Sequence, residues 1–246
     1  MPNDSAAFFD LDRTLMSGSS AMQFALAARR EGMIGRSEIM RWGFDHLYFR
    51  AKGSTDQSTD MVVSRVKLFI QDLPEVEIVR MAPQLIAGIL TRLYPEMVEE
   101  VRMHQDAGRP TFIISAAADG LVAILARILG MDGGRGTRYC VDEEGKLTGE
   151  LDGPLMYGDG KLAALDELAA EHGVDLGASW AYSDSVSDLP MLMAVGNAVA
   201  VNPDDELAAV AQEHGWQVMR FERLGRRLVL SGAVVVTAAA GGAAWL

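Results

Sequence analysis

Acidic residues in two short groups are the side chains of this sequence best suited to chemistry. Asp10 and Asp12 flank a single residue near the start of the chain, and Asp184 and Asp188 form a second group much further on. Carboxylates ligate hard divalent cations, attack electrophiles and exchange protons with substrates. Ser115 and Lys161 lie between the two groups along the chain, and each offers a donor to an anion. Each feature alone is common in proteins, so its meaning depends on whether the fold brings them together.

The serine and both acidic groups follow short apolar segments of the kind that form buried strands. These segments are residues 6–9, 111–114 and 179–182, and further strands are predicted at Asn197–Val201 and 217–221. Helices are predicted at residues 95–108, 121–129 and 161–172, and at 206–214 with Asp204 as its capping residue. Residues 137–151 alternate like a hairpin that turns at 144–145.

Strands that alternate with helices predict an α/β fold with a doubly wound, mostly parallel, Rossmann-like sheet. Ligands bind beyond the carboxyl ends of the strands in such sheets, which is where Asp10, Ser115 and Asp184 would lie side by side. From about residue 20 to residue 83, apolar residues recur at helical spacing. This pattern predicts a helical insertion after the first strand.

The composition favours a packed globular protein with an acidic surface. The 246 residues are 49% hydrophobic and 23% charged, and the formal net charge is −12. An acidic surface excludes non-specific binding to nucleic acid, whereas a local metal ion would still let a cleft hold a small phosphorylated substrate. The single cysteine, Cys140, is expected to be a strand residue. Because one cysteine cannot form a disulfide within the chain, the sequence suits a reducing compartment. The four histidines show no metal-ligand spacing and are expected at the surface or at helix ends; they are His46, His104, His172 and His214.

The last 19 residues, 228–246, carry no charge and directly follow Arg223, Arg226 and Arg227. As a helix they would span roughly 28 Å, close to the hydrocarbon thickness of a bilayer. We therefore predict a C-terminal membrane anchor that holds the preceding domain on the cytoplasmic face. The alternative is a buried or docking helix, or a strand. The N-terminus lacks the features of a secretory signal, so the localisation expected is cytoplasmic.

The motifs in their order resemble the haloacid dehalogenase superfamily, specifically its phosphoserine-phosphatase-like branch (subfamily IB). The family's D-x-D-x-T-L motif matches residues 10–15, its apolar run ending in serine matches 113–115, its lysine matches Lys161, and its S-D-S-x-x-D-L-P-M motif matches 183–191. The resemblance covers roughly residues 6–221. It implies a catalytic core at 1–18 and 84–222, and a helical cap at 19–83.

The resemblance also implies a Mg²⁺-dependent phosphatase that works through a phospho-aspartyl intermediate. Asp10 would attack phosphorus, and Asp12 would protonate the leaving group and then deprotonate water. The metal ligands would be Asp10, Asp184 and the backbone carbonyl of Asp12.

The remaining motif residues would support this reaction. Ser115 and Lys161 would bind the phosphoryl group, because a serine hydroxyl and an ammonium both donate to its oxygens. Asp188 would orient Lys161 or a metal-bound water, and Thr14 would steady the loop through a side-chain hydrogen bond.

Other interpretations stay open at this point. Asp184 and Asp188 could cap a helix, and Lys161 could be a surface lysine at a helix start. A phosphomutase of the same superfamily would use the same first half-reaction, and a non-catalytic, membrane-tethered module could retain a relict site. The sequence contains neither a nucleotide-binding P-loop nor a G-x-S-x-G serine elbow.

Selectivity for the substrate is expected to reside in the cap, which would close over the cleft. Phosphoserine phosphatases have a glutamate seven residues after the acid–base aspartate, and this chain has Ser19 there. The pocket therefore lacks the anion expected for an amino acid substrate, which counts against phosphoserine. The substrate expected is a small phosphorylated metabolite or, if the tail is an anchor, a lysophospholipid. Four basic cap residues could hold a carboxylate or a second phosphate: Arg41, Arg50, Lys52 and Arg65. The sequence carries no signal for an oligomeric state.

Overall fold

A parallel β-sheet forms the centre of the protein in a computed structural model that describes residues 4–33, 35, 67 and 70–221. Its strands are β1 (Ala7–Phe9), β2 (Thr111–Ala118), β3 (Gly133–Thr137), β6 (Trp180–Ser183), β7 (Asn197–Val201) and β8 (Gln217–Met219). Within the described residues the spatial order is β3-β2-β1-β6-β7-β8, and every pairing is parallel. The chain leaves β1 toward β2 on one side and later returns to β6 on the other. The predicted doubly wound α/β sheet is confirmed, with its switch point between β1 and β6.

The helices alternate with these strands as the sequence predicts. They are α1 (Ser20–Arg30), α2 (Glu75–Leu90), α3 (Pro95–Asp106), α4 (Asp119–Ile128), α5 (Asp159–His172), α6 (Leu189–Met193) and α7 (Asp205–His214). Asp204 caps α7, since its Oδ1 accepts a hydrogen bond from the backbone N–H of Leu207 at 2.7 Å. The hairpin is confirmed as well: β4 (Tyr139–Val141) pairs antiparallel with β5 (Leu147–Leu151), and Gly145 turns the chain at φ 78°.

Side chains on both faces of the sheet are buried. Phe9 belongs to a cluster that includes Ile89 of α2 and Leu125 of α4. Its neighbour Phe8 points to the opposite face and belongs to a cluster with Leu165 of α5. Because successive side chains of a strand alternate between faces, continuous apolar strands require helices on both sides.

Strand β3 was not predicted, because its Gly-Gly-Arg-Gly-Thr sequence carries no apolar alternation. Two of its three glycines, Gly134 and Gly136, are required by close packing against α4 and β2. A Cβ atom on Gly134 would lie 2.6 Å from Val122 Cγ1, and one on Gly136 would lie 2.5 Å from Asp119 Cα. Tertiary packing therefore places a strand where local propensity predicts a loop.

The two ends of the predicted cap pack on the core. Ala25 and Ala28 of α1 share the buried cluster of Phe9, as do Met81 and Leu85 of α2. Helix α2 is continuous from residue 75 to residue 90, so the predicted boundary between 83 and 84 falls inside one helix.

Several sequence predictions fall outside the described residues. They concern the basic cap residues, His46 and the uncharged tail, residues 228–246. Among the helices that the structure describes, none is both long and apolar enough to cross a membrane. The anchor therefore stays a prediction.

His104 lies in the last turn of α3 as predicted, but it is fully buried, so a surface position is wrong for it. Its Nδ1 accepts a hydrogen bond from Arg109 Nε at 2.8 Å, which leaves the proton on Nε2. Nε2 lies 2.8 Å from the hydroxyl of Tyr182, and this hydroxyl donates to Glu100 at 3.0 Å. The neutral imidazole of His104 thus links the guanidinium of Arg109 to the hydroxyl of Tyr182 in β6.

We expect acid to destabilise the wild-type protein more than a His104→Gln variant. Burial and the nearby Arg109 cation lower the pKa of His104 from 6.5 to about 4, so the unfolded chain binds the proton first as the pH falls. The free energy of unfolding then drops between these two pKa values, by the order of 2 kcal/mol at about pH 4.5, and is unaffected above about pH 7.

Urea denaturation of both proteins at neutral pH and near pH 4.5 measures this difference. Glutamine can accept from Arg109 and donate to Tyr182, but it does not titrate. An equal loss of stability in the two proteins would contradict the assignment to His104.

Candidate active site

The carboxyl ends of three neighbouring strands carry the predicted site. Phe9 pairs with Ile113 of β2 and with Tyr182 of β6, so the residues that follow these three lie level with one another. The backbone N–H of Asp10 continues the ladder by donating to the carbonyl of Tyr182 at 3.0 Å. Ile114 and Ser183 are therefore level with Asp10, and Ser115 and Asp184 follow one residue further along, on the two sides of Asp10.

Lys161 links the two acidic groups. It lies in the first turn of α5, and its Nζ contacts Asp10 Oδ1 and Asp188 Oδ2, each at 2.6 Å. The hydroxyl of Ser183 also donates to Asp188 Oδ2 at 2.6 Å. All four side chains are buried. Asp188 thus contacts Lys161 as the predicted orienting role requires, and the lysine is buried, so a surface position is excluded.

Arg13 is a residue of this site that the sequence analysis missed. Its Nη1 forms an ion pair with Asp184 Oδ2 at 2.8 Å, and the Asp184 side chain is only 8% exposed. Arg13 adopts the left-handed backbone conformation, with φ 62°, which costs a residue with a side chain about 1 kcal/mol. Sequence spacing carries no signal for this contact, because it depends on the turn of the loop after β1.

The Asp12 side chain contacts the start of α1. Its Oδ1 accepts from the backbone N–H of Ser20 at 2.8 Å, and its Oδ2 accepts from the Ser20 hydroxyl at 3.0 Å. The positive end of the helix dipole of α1 also points toward this carboxylate. Ser20 is the second site residue that the sequence analysis missed, since a serine at a helix start usually serves as a cap.

Ser115 and Thr14 differ in how they fit the prediction. Ser115 is buried, and its Oγ accepts from the backbone N–H of Ala117 at 3.2 Å, so its hydroxyl proton remains to be donated. Thr14 is also buried, but its hydroxyl has no hydrogen-bond partner among the residues that the structure describes. The predicted hydrogen bond from Thr14 to the loop is wrong. Backbone hydrogen bonds to the carbonyl of Leu11 close the loop instead, from the N–H groups of Leu15 and Met16.

Burial dominates the electrostatics of the carboxylates. It raises the pKa of Asp10 to about 7, with the charges of Asp188 and Asp12 acting in the same direction and Lys161 opposing them. Burial also raises the pKa of Asp184, again with help from Asp10 and Asp188 and against Arg13. Burial alone would lower the pKa of Lys161, but Asp10 and Asp188 raise it above its ordinary value. The lysine is therefore a permanent cation within a cluster of crowded carboxylates.

The donor set fits a hard divalent cation. Three carboxylates, those of Asp10, Asp184 and Asp188, form ion pairs with two cations, Lys161 and Arg13. With the nearby carboxylate of Asp12, the cluster has an excess of negative charge that an ion such as Mg²⁺ would balance. Asp188 Oδ1 is buried and has no hydrogen-bond partner in the described part of the chain, which marks an unsatisfied acceptor in this cluster. In the described part of the chain, no three side chains of His, Cys, Asp or Glu form a metal cage by themselves. The predicted set uses two carboxylates and a backbone carbonyl, and so does not require one.

Comparison with known proteins identifies the family. The model of the haloacid dehalogenase-like hydrolases matches residues 7–193. The chain is 35% identical over 243 residues to the phosphoserine phosphatase SerB1 of Mycobacterium tuberculosis, covering 97% of this chain and 78% of that protein. It is 28% identical over 220 residues to a histidinol-phosphatase of Neisseria meningitidis serogroup C, covering 88% and 98%.

A solved structure shows the same fold. The substrate-bound complex of a phosphoserine phosphatase superposes with a TM-score of 0.64 at 21% identity, covering 92% of this chain and 97% of that one. The motif residues predicted from the sequence lie together at the strand ends of this fold. The chain therefore belongs to the haloacid dehalogenase-like hydrolases, in their phosphoserine-phosphatase-like branch, and is a phosphatase that hydrolyses phosphoric monoesters.

Proposed function

We propose that the protein hydrolyses a small alkyl phosphomonoester with Mg²⁺, through a phospho-aspartyl intermediate on Asp10. The observation that carries this proposal is the buried carboxylate of Asp10 at the switch point of the sheet, held at 2.6 Å by Lys161. A carboxylate so placed is preorganised as a nucleophile, because its position is set before the substrate arrives.

Neutralising charge is the first requirement, since a phosphate dianion repels carboxylates. Lys161 and Arg13 supply two cations at the site. Mg²⁺, held by Asp10, Asp184 and the backbone carbonyl of Asp12, would supply the remaining positive charge to the phosphoryl oxygens. Ser115 would donate its hydroxyl proton to one of these oxygens.

Two steps then complete the reaction. An oxygen of Asp10 forms a bond to phosphorus while the ester P–O bond breaks, and the leaving alkoxide takes a proton from Asp12. Water then attacks phosphorus, its proton returns to Asp12, and the carboxylate of Asp10 is released together with inorganic phosphate. A backbone N–H can only donate, so Asp12 Oδ1 remains an acceptor for Ser20. We assign the acid proton to Oδ2, because the Ser20 hydroxyl there donates to the carboxylate and can accept from the protonated acid.

Removing the Ser20 hydroxyl should impair protonation of the leaving group. We expect Ser20→Ala to lower kcat/KM about tenfold for an alkyl phosphate, which is the effect of one hydrogen bond to a charged group. The loss should be much smaller for p-nitrophenyl phosphate, whose leaving group departs without a proton. Ser20→Thr keeps the hydroxyl and should restore the wild-type ratio between the two esters. Equal losses for both esters would show that Ser20 has only a structural role.

The identity of the alcohol is proposed from the relatives and the site. Phosphoserine and histidinol phosphate, the compounds after which two relatives are named, are both primary alkyl phosphates. Ser19 is buried at the start of α1, where phosphoserine phosphatases have a glutamate, so the site lacks that anion for an ammonium group. We therefore favour a small primary alkyl phosphate other than phosphoserine.

A panel of esters tests the proposal. Phosphate release is measured with and without Mg²⁺ from phosphoserine, histidinol phosphate, sugar phosphates and a lysophosphatidate. We expect Mg²⁺-dependent turnover with phosphoserine below the best ester. The lysophosphatidate tests the proposal that the uncharged tail brings the site to a membrane substrate. Turnover that is unaffected by chelation of divalent cations would contradict the metal dependence, and a preference for phosphoserine would contradict the argument from Ser19.

A further inference from the structure

We propose that Arg13 is a built-in counter-ion of the metal site and that its ion pair with Asp184 limits how tightly the site binds Mg²⁺. The inference rests on the proposed function, in which Asp184 is a metal ligand. It assigns to Arg13 the regulation of cation affinity, a property distinct from the chemical step.

The contacts show that Arg13 is the partner committed to Asp184. The guanidinium lies 2.8 Å from Asp184 Oδ2, and the Arg13 side chain is 21% exposed. The other cation of the site, Lys161, is divided between Asp10 and Asp188 at 2.6 Å each. Arg13 therefore does for Asp184 what a metal ion would do, which is to neutralise a buried carboxylate.

The backbone supports a specific role for this side chain. Arg13 adopts a left-handed conformation at φ 62°, which glycine or asparagine adopts more readily. It lies between Asp12 and Thr14, in the loop that also contains Asp10. A long cationic side chain held in an unfavourable backbone conformation and tied to a predicted ligand is consistent with a functional constraint.

Charge then determines the direction of the effect. A divalent cation bound at Asp184 is repelled by the guanidinium a few ångströms away, and this repulsion is only partly screened in a buried site. Removing the Arg13 charge leaves Asp184 without its partner in the metal-free form and removes the repulsion in the metal-bound form. Both changes favour the metal-bound form, so affinity for Mg²⁺ should rise.

The test is a Mg²⁺ titration of the full-length, metal-stripped protein, followed by calorimetry and by the shift in Tm. We expect Arg13→Gln to bind Mg²⁺ at least about tenfold more tightly than wild type, as removal of a nearby charge at an effective dielectric constant of about 20 predicts. Its Tm without metal should fall, and the rise in Tm on adding Mg²⁺ should be larger than in wild type. Arg13→Lys keeps the charge and should bind within a few-fold of wild type.

Arg135→Gln is the matched control. Arg135 is similarly exposed, at 27%, and forms an ion pair with Glu171 at 2.6 Å. Glu171 lies ten residues along α5 from Lys161, about 15 Å along the helix axis. Removing the charge of Arg135 should therefore leave the affinity for Mg²⁺ unchanged.

Three results would overturn the proposal. Unchanged or weaker Mg²⁺ binding by folded Arg13→Gln would show that Arg13 is neutral toward the metal or positions Asp184 for it. An equal gain in Mg²⁺ affinity in Arg135→Gln would show that the effect comes from the net charge of the protein and not from the position of Arg13. Failure of the wild-type protein to bind Mg²⁺ would refute the metal site of the proposed function itself. If wild type binds Mg²⁺ and only the Arg13→Gln result fails, the role of Arg13 alone is refuted.

Discussion

Asp10→Asn should abolish turnover while leaving the fold intact. The asparagine amide cannot form the acyl phosphate, so kcat should fall by about 10⁴-fold or more, as for removal of other enzymatic nucleophiles. The variant should fold, because burial already raises the pKa of Asp10 to about 7 and the site therefore accommodates a neutral side chain. Phosphate release from the preferred ester, together with circular dichroism, measures both effects.

Asp132→Asn is the control for this substitution. Asp132 Oδ2 accepts a hydrogen bond from the backbone N–H of Thr111 at 2.8 Å, at the amino end of β2 and thus at the opposite end of the sheet from the site. The phosphatase activity of the Asp132→Asn variant should match that of wild type. Residual activity of Asp10→Asn within about a hundredfold of wild type would contradict a nucleophilic role for Asp10.

Lys161→Met should cause the second largest loss, and it should affect stability as well as activity. The substitution leaves two buried carboxylates, Asp10 and Asp188, without their shared cation. Breaking a buried ion pair typically costs about 3–5 kcal/mol, which corresponds to a fall in Tm of roughly 10 °C for a domain of this size. The loss of a cation beside the phosphoryl group should also lower kcat/KM by about 10³-fold.

Two further variants separate stability from catalysis. Lys161→Met combined with Asp188→Asn should recover part of the Tm, because one of the two stranded carboxylates is then neutral, but it should recover no activity. Lys146→Met removes a surface lysine that pairs with Glu144 at 2.7 Å, and it should change stability by less than about 1 kcal/mol. A Tm of Lys161→Met equal to that of wild type in the presence of a chelator would contradict the structural role of the buried lysine.

The sequence was sufficient to predict the sheet and the motif residues, because strong local patterns specify both. Each predicted strand end carries a polar residue that emerges at the same edge, and strand pairing then brings Asp10, Ser115 and Asp184 together. The apolar runs leave little choice of face or register, so the positions of these residues follow from the fold class.

The contacts that depend on loop geometry could not be predicted in this way. The pairing of Arg13 with Asp184 requires the left-handed turn after β1, and the pairing of Asp12 with Ser20 requires the direction in which α1 leaves that turn. The hydrogen bond predicted for Thr14 is likewise not found between its buried hydroxyl and any described residue. Strand β3 depends on the packing of α4 against its glycines, which no local pattern in the sequence reports.

Detection of the phospho-enzyme tests the central claim most directly. Wild-type protein is mixed with Mg²⁺ and the best ester of the panel, quenched in acid within a turnover and digested, and the peptides are analysed by mass spectrometry. We predict one phosphoryl group on the peptide that contains Asp10, sensitive to hydroxylamine as an acyl phosphate should be, and none in Asp10→Asn. Rapid turnover with no phosphoryl group on Asp10 at any quench time, or turnover that persists in Asp10→Asn, would contradict the mechanism.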